Sequence, residues 1–335
     1  MKKTSAVFAL PLFALPLLLL LLFLCRPALM LPRAGADEAI REPRFSLSQD
    51  SARPGETVTI ACDDSPRTRL TGLRAVLLNA GGKRLSKSAF FTLPAEEGEE
   101  ELKAAILPVP STAAPGNLSI RIESADSIIR EIPFIVTSRN FLSETIPLNQ
   151  SNTDLRTVPD PKKTIESEQL WAILSRTGTV IYSGSAFLPP VTSTRRTSNY
   201  GDRRVYLYTG GEKDTSIHAG VDYGVPTGTE VKACAGGKVV LAQNRIVTGN
   251  SVVIEHLPGV YSLYYHLDSI KAGEGASVEA GSLIGLSGST GLATGPHLHW
   301  EIRVSGENAD PDAFMSRPVL DKNDILNKIR NYPLN

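Results

Sequence analysis

The chain of 335 residues has little cysteine, histidine or tryptophan, and no excess charge of either sign. It contains three cysteines and five histidines, and its 35 basic side chains balance 35 acidic ones. A chain without a basic excess offers no electrostatic case for binding nucleic acid. Beyond the amino terminus the cysteines are Cys62 and Cys234, and neither stands in a C-x-x-C pair. A disulfide between them is compatible with an oxidising compartment, but two separate buried thiols are the favoured interpretation.

One long apolar run stands at the amino terminus. Lys2 and Lys3 precede an uncharged, mostly apolar stretch from Ala6 to Cys25. This pattern, with Ala34-Gly35-Ala36 as a cleavage site, is typical of a secretory signal peptide. The run is also long enough to span a bilayer, so an N-terminal membrane anchor is the alternative for residues 1–36. Either interpretation places the bulk of the chain in the cell envelope, in a periplasmic or extracellular position.

The remaining length predicts two domains, both mainly β. Short strand-like runs separated by turn residues favour an immunoglobulin-like β-sandwich over residues 44–138, as an accessory domain. Residues 139–193 are expected to connect the domains, with a short helix at Glu166–Leu174, and we hypothesise that this segment covers a groove and restrains activity. Residues 194–315 again favour strands with glycine-rich turns. A C-terminal tail at 316–335 is expected to contain a short helix.

Four of the five histidines cluster in three short motifs of the C-terminal third. The motifs are His218-Ala219-Gly220-Val221-Asp222, Tyr264-Tyr265-His266-Leu267 and Gly295-Pro296-His297-Leu298-His299-Trp300-Glu301. Imidazole and carboxylate are normal zinc ligands, and a catalytic zinc site needs three of them plus a water. The fifth histidine, His256, lies outside the motifs and is expected to be structural or at the surface.

The spacing of the first motif restricts its backbone. Gly220 and β-branched Val221 disfavour a helix over this motif. On a straight strand, residues four apart lie roughly 13 Å from each other, too far for two ligands of one ion. The chain must therefore bend between His218 and Asp222, and Gly220 is the residue that permits the bend.

The other two motifs are expected to lie on strands. Alternation over Leu298–Val304 predicts that His297 and His299 project from one face and enter one site. Tyr264 and His266 are likewise expected to share a face of their strand. Glu301 follows His299 by two residues, so either it orients an imidazole from behind or it is a solvated carboxylate at a strand end.

Five stretches follow one another in the C-terminal part of the chain. They are Thr197-Ser198-Asn199-Tyr200-Gly201-Asp202-Arg203, H-x-x-x-D at 218–222, Gly249-Asn250-Ser251-Val252-Val253-Ile254, Y-H-L at 265–267 and G-S-T-G-L-A-T-G-P-H-L-H-W-E at 288–301. In this order they resemble the lysostaphin-type (LytM-domain) zinc endopeptidases, over roughly Thr194 to Pro311.

The resemblance implies an antiparallel β-sheet peptidase domain that cleaves peptide bonds of bacterial peptidoglycan with one zinc ion per chain. It implies that His218, Asp222 and His299 hold the zinc. It also implies that His266 and His297 are the catalytic pair. Non-catalytic relatives lose ligands or the catalytic histidine, whereas this chain keeps all five residues.

The expected chemistry can also be argued from the residue types. Zinc held by two histidines and one aspartate keeps an open position for water and lowers the pKa of that water to about 7. The sequence has no H-E-x-x-H motif, so a glutamate base of that kind is not available. Proton transfer then falls to His266 or His297, and the other, if protonated, could stabilise an oxyanion. The sequence leaves these two roles open.

Three functions from different classes fit these observations to different degrees. A zinc endopeptidase acting on peptide crosslinks of peptidoglycan explains the motifs and the leader together. The alternative is a catalytically silent relative that binds the cell wall and activates another wall hydrolase. A third is an envelope protein whose metal is purely structural, but such a zinc needs four protein ligands.

Overall fold

A computed structural model of the chain describes residues 43–63, 71–95, 101–125 and 127–331. All of these belong to one unit, Ile40–Asn335. The signal peptide or anchor expected at residues 1–36 lies outside the described residues. Within the described part, no helix has both the length and the apolar character that a membrane crossing requires.

The N-terminal part forms strands that pack as two sheets. They are β1 (Phe45–Leu47), β2 (Ser51–Ala52), β3 (Thr57–Asp63), β4 (Arg74–Leu78), β5 (Arg84–Ala89), β6 (Phe91–Thr92), β7 (Leu102–Pro108), β8 (Gly116–Glu123) and β9 (Ile128–Val136). One sheet has the order β1-β3-β7-β6 and the other β2-β9-β8-β4-β5. All pairs are antiparallel except β2 with β9.

Alternating apolar side chains explain why these two sheets pack together. Val58 and Ile60 of β3 are buried in the same cluster as Leu77 of β4 and Ile120 of β8. Because successive side chains of a strand point to opposite faces, one face of each sheet is apolar and the two faces bury each other. The β architecture expected for residues 44–138 is thus confirmed, while its immunoglobulin-like character stays a prediction.

The connecting segment contains more structure than the single helix we predicted. It forms β10 (Ser143–Pro147), α1 (Gln150–Thr157) and α2 (Pro161–Leu174). Helix α2 begins five residues before the predicted start, because Asp160 caps the helix by accepting a hydrogen bond from the Lys162 N–H and Pro161 occupies the first turn. The sequence analysis missed β10 and α1.

One large apolar side chain of α2 faces solvent. Ile165 is 52% exposed. The buried side chain at this point of the helix is Glu166, whose Oε2 accepts a hydrogen bond from the Ile246 N–H at 2.9 Å. The face of α2 that packs on the main sheet therefore combines Glu166 with Leu170, Ile173 and Leu174.

The C-terminal part is again mainly β. Its elements are β11 (Arg196–Ser198), β12 (Arg203–Leu207), β13 (Lys213–Ile217), β14 (Gly220–Tyr223), β15 (Glu230–Lys232), β16 (Gly237–Arg245), β17 (Gly249–Leu257), β18 (Val260–Ile270), β19 (Ser277–Val278), β20 (Leu283–Ser287), β21 (Leu298–Val304), β22 (Glu307–Ala309), α3 (Pro311–Met315) and α4 (Lys322–Arg330). The main sheet has the order β11-β14-β21-β18-β17-β16-β19, and its pairs are antiparallel. A smaller sheet has the order β10-β12-β13, with β10 and β12 parallel.

The two faces of the main sheet have different environments. Even-numbered residues of its central strands, such as Tyr264 of β18 and Trp300 of β21, are buried in the large core. Odd-numbered residues of β18, such as Leu263 and Tyr265, pack in a second cluster with Leu174 of α2. On β21 the odd-numbered face carries His299 and Glu301, so this is the face that builds the site.

The N-terminal sandwich and the main sheet share apolar contacts. Ala104 and Ile106 of β7 belong to the same core cluster as Tyr200 and Trp300. One sheet of the sandwich therefore buries its outer face against the C-terminal part, where it adds to the large core.

Candidate metal centre

The first motif bends between two strands. Strand β13 ends at Ile217 and β14 begins at Gly220, so His218 lies just before the strand that carries Asp222. The bend brings Nε2 of His218 within 3.2 Å of Oδ1 of Asp222. Gly220 serves a second purpose, since a Cβ at this position would collide with the carbonyl oxygen of Trp300 on β21. The absence of a side chain thus allows β14 and β21 to pair closely.

The pairing of β14 with β21 completes a cluster of three ligating atoms. Asp222 stands opposite His299 in this antiparallel register. Nδ1 of His299 lies 2.7 Å from Oδ1 of Asp222 and 3.0 Å from Nε2 of His218. One ligand atom from each of the three buried residues falls within 4.8 Å of the others, so a single metal ion could contact all three.

Electrostatic coupling within the cluster favours a bound cation. Burial alone would raise the pKa of Asp222, but His299 and His218 hold that pKa well below its usual range. Burial lowers the pKa of His218. The pKa of His299 is raised to about 9, because Asp222 and Glu301 outweigh the effect of its burial. An ionised carboxylate between two imidazoles stabilises positive charge at the point where the three groups meet.

Each histidine of the cluster has a partner on its other ring nitrogen. Nδ1 of His218 is 2.7 Å from the carbonyl oxygen of Asn199. Nε2 of His299 is 3.0 Å from Oε1 of Glu301, which is buried. Burial would raise the pKa of Glu301, but Arg303 and His299 lower it to about 2. Of the two interpretations of Glu301, the structure shows the one in which it orients an imidazole.

His266 reaches the same cleft through an uncommon backbone conformation. Its φ of 60° lies in the left-handed region, which non-glycine residues rarely adopt. The expectation that Tyr264 and His266 share a strand face is therefore wrong: Tyr264 is buried in the large core, and His266 turns toward His299, with 6.2 Å between ring centroids. Its Nδ1 lies 2.7 Å from the carbonyl oxygen of Thr290. Such strain concentrates at functional sites.

His297 lies beside His266, immediately before β21. The centroids of the two rings are 4.8 Å apart. Nδ1 of His297 is 2.8 Å from the carbonyl oxygen of Gly295, and its Nε2 is 3.9 Å from Oδ1 of Asp222. Burial lowers the pKa of His297. Burial, together with the nearby His297 and His299, lowers the pKa of His266 to about 3. Both rings are therefore neutral near pH 7.

These side chains line a cleft of about 350 Å³. Its walls are formed by Glu144, Ile146, Leu148, Arg195, Thr197, Ser198, Arg204, Tyr206, Asp222, His266, Leu292, Thr294, Gly295, Pro296, His297 and His299. Tyr206 of β12 lines the cleft, and the Arg156 guanidinium lies over its ring, 4.0 Å from the ring centroid. The sequence analysis missed Glu144 and Arg204, because their proximity depends on the pairing of β10 with β12.

The fifth histidine and the cysteines lie away from this cleft. His256 is fully buried, with Nδ1 2.8 Å from the Gly236 carbonyl and Nε2 2.7 Å from Ser262 Oγ. It is thus the structural residue we expected. Cys62 is buried in the sandwich core and Cys234 in the large core, so no disulfide joins them.

Comparison with known proteins matches the stretch that builds this site. The model of peptidase family M23 matches residues 216–311. The DD-carboxypeptidase/endopeptidase Mpg of Neisseria meningitidis serogroup B is 39% identical over 136 residues, which cover 40% of this chain and 30% of that protein. The peptidoglycan DD-endopeptidase ShyA of Vibrio cholerae serotype O1 is 42% identical over 118 residues, which cover 35% of this chain and 27% of that protein. The chain thus spans under a third of these relatives.

A solved structure extends the likeness beyond the matched stretch. A crystal structure assigned to peptidase M23 from Pseudomonas aeruginosa superposes with a TM-score of 0.53 and 24% identity, covering 80% of this chain and 95% of that one. At this identity the likeness shows the fold alone.

Proposed function

We propose that this chain is a zinc-dependent endopeptidase that cleaves peptide crosslinks of bacterial peptidoglycan, because the model of peptidase family M23 matches residues 216–311, which build the candidate metal centre. One observation carries the proposal. The three ligating atoms of His218, Asp222 and His299 converge, and the two further histidines stand at the same cleft. The names of the relatives, which include a peptidoglycan DD-endopeptidase, support peptidoglycan as the substrate.

The donor set fits zinc. Two imidazole nitrogens and one carboxylate oxygen are ligands that zinc prefers, and three protein ligands are the number found in catalytic sites. His218 would bind through Nε2 and His299 through Nδ1, because their other ring nitrogens face the Asn199 carbonyl and Glu301. Asp222 would bind through Oδ1. When bound, zinc supplies Lewis-acid polarisation of the peptide carbonyl and activation of the attacking water.

The backbone fixes which nitrogen of each remaining histidine can take up a proton. Nδ1 of His266 donates to the Thr290 carbonyl, and Nδ1 of His297 donates to the Gly295 carbonyl. In both neutral rings Nε2 therefore keeps its lone pair and acts as the acceptor. We assign proton uptake from the attacking water and its return to the leaving amine to these two Nε2 atoms.

The surroundings of the cleft suit an extended peptide. Ile146 and Leu148 of the connecting segment line the cleft, as do Leu292 and Thr294 of the loop before β21. Backbone and side-chain groups of these residues can hold a stretched chain beside the five functional residues. A β-sandwich at residues 44–138 would serve as the accessory domain, and a peptidoglycan substrate places the protein in the cell envelope.

The test is a digest of purified peptidoglycan sacculi with the wild-type protein and with His299→Ala, with the products identified by mass spectrometry. We expect new peptide termini in the crosslinks with the wild type and none with the variant. Wild-type protein that binds zinc but releases no new termini would contradict the proposal and favour the silent, hydrolase-activating alternative.

A further inference from the structure

We propose that Glu144, from the connecting segment, is a positioning residue of the metal centre that acts through Arg204 on Asp222. This inference rests on the proposed zinc peptidase function. It assigns the connecting segment a part in building the site, whereas the hypothesis drawn from the sequence alone has the segment covering the groove.

Strand pairing brings the two side chains together. Strands β10 and β12 run parallel, and their register places Glu144 directly beside Arg204. Oε1 of Glu144 accepts a hydrogen bond from Nε of Arg204 at 2.8 Å and another from Ser198 Oγ at 2.8 Å. Ser198 stands opposite Asp222 in the pairing of β11 with β14. The carboxylate of Glu144 is thus fixed from two strands.

Arg204 continues this chain of contacts to the metal ligand. Its Nη2 donates to Oδ2 of Asp222, the oxygen that does not face the histidines. Oδ1 of the same carboxylate contacts His218 and His299. The Arg204 guanidinium therefore binds one oxygen of the Asp222 carboxylate, Oδ2, and leaves the other, Oδ1, for a metal. The side chains of Arg204 and Asp222 are only 14% and 7% exposed, so water screens this arrangement weakly.

Glu144 is needed because an arginine prefers to hold a carboxylate with two parallel hydrogen bonds. With Nε engaged by Glu144, Arg204 presents Nη2 alone to Asp222. Without Glu144, the guanidinium can turn and take both oxygens of Asp222, in competition with the metal for Oδ1. Glu144 also offsets a positive charge close to the site of a divalent cation. Both effects predict weaker zinc binding when its carboxylate is lost.

The decisive measurement is zinc affinity, by competition with a chromophoric chelator, for the full chain and for Glu144→Gln. We expect Glu144→Gln to weaken zinc binding by about 10-fold, the lower end of the range for groups that orient metal ligands. In an Arg204→Gln background the same substitution should have no further effect, because the two residues act as one unit. If Glu144→Gln does not fold, Glu144→Asp, which keeps the charge but retracts it from Arg204, is expected to show a smaller loss in the same direction.

A matched control is available on the same sheet. Asp214 of β13 forms an ion pair with Arg156 of α1, so Asp214→Asn removes a carboxylate that also anchors the connecting segment. This variant is expected to bind zinc as the wild type does. If Asp214→Asn lost as much zinc affinity as Glu144→Gln, docking of the connecting segment would set the zinc affinity, and not the positioning of Arg204 by Glu144. That result would overturn the inference.

Two other results would also overturn it. Unchanged zinc affinity in Glu144→Gln contradicts the positioning role, and unchanged affinity with faster cleavage would make Glu144 an obstruction of the groove. Failure of the proposed function has a different signature: the wild type itself would bind no zinc or cleave no peptidoglycan.

Discussion

Glu301 lies behind His299, with its Oε1 3.0 Å from the Nε2 of the imidazole, while Nδ1 of the same ring faces Asp222 at 2.7 Å. The ring is thus held between two carboxylates. Glu301 accepts a hydrogen bond from Nε2 of His299 and thereby fixes the tautomer of the ring. Nδ1, which faces the cluster, therefore offers its lone pair once a metal replaces its proton.

This relationship predicts the effect of Glu301→Gln. The amide keeps the shape but removes the charge that orients His299 and raises its basicity, so zinc affinity should fall about 10- to 100-fold. The measurement is zinc competition with a chelator. Glu255→Gln, on strand β17 of the same sheet, is the control, because Glu255 is half-buried but contacts Tyr261 instead of the cluster. Equal affinities for Glu301→Gln and the wild type would show that Glu301 does not tune the ligand.

Variants of His266 and His297 should separate catalysis from metal binding. Asn tolerates the left-handed backbone of His266 and removes the imidazole acceptor, so His266→Asn should lower the cleavage rate about 10²- to 10⁴-fold. His297→Asn is expected to act similarly. Both variants should retain their zinc, measured by metal analysis, whereas His299→Ala should lose it. A His266→Asn protein that cleaves at the wild-type rate would remove this residue from the mechanism.

Gly220→Ala tests the close pairing of β14 with β21. The new methyl group would meet the Trp300 carbonyl and push apart the strands that carry Asp222 and His299. Overpacking of this kind costs about 1–3 kcal/mol of unfolding free energy, and zinc affinity should fall with it. Gly273→Ala is the control, since nothing lies within 4 Å of the added atom. Denaturant unfolding with both variants gives the comparison, and equal stabilities would contradict the close-contact argument.

The buried His256 side chain is expected to make the protein less stable in acid. Burial lowers its pKa to about 4 in the folded protein, whereas an unfolded histidine titrates near 6.5. As the pH falls, the unfolded state therefore takes up the proton before the folded state does. The contribution of neutral His256 to the free energy of unfolding is fully present above pH 6.5 and is lost as the pH falls toward 4. The loss amounts to roughly 3 kcal/mol.

The comparison is between the wild type and His256→Asn, which keeps a donor near the Gly236 carbonyl. Unfolding free energies in urea should converge between pH 7 and pH 4.5, because the variant lacks the titrating group. A constant difference between the two proteins over this range would show that His256 does not titrate as its burial implies.

The sequence analysis found the residues of the site but not all of its frame. His218, Asp222 and His299 stand in short motifs, and their grouping as metal ligands was implied by the resemblance to the lysostaphin-type endopeptidases, while spacing required only the bend between His218 and Asp222. The φ of His266 could not, because alternation assumes a regular strand. Glu144 and Arg204 are 60 residues apart in sequence and meet only through a parallel strand pair, for which short-range patterns carry no signal.

The central claim is that one metal ion held by three residues drives peptidoglycan cleavage, and a metal titration tests it most directly. The wild-type protein would be stripped of metal with a chelator, then given increasing zinc while cleavage of a purified crosslinked muropeptide is followed. We expect activity to be absent in the stripped protein and to rise to a plateau at one zinc ion per chain, with no recovery in His299→Ala. Full activity in the stripped wild type, or bound zinc without cleavage, would contradict the account.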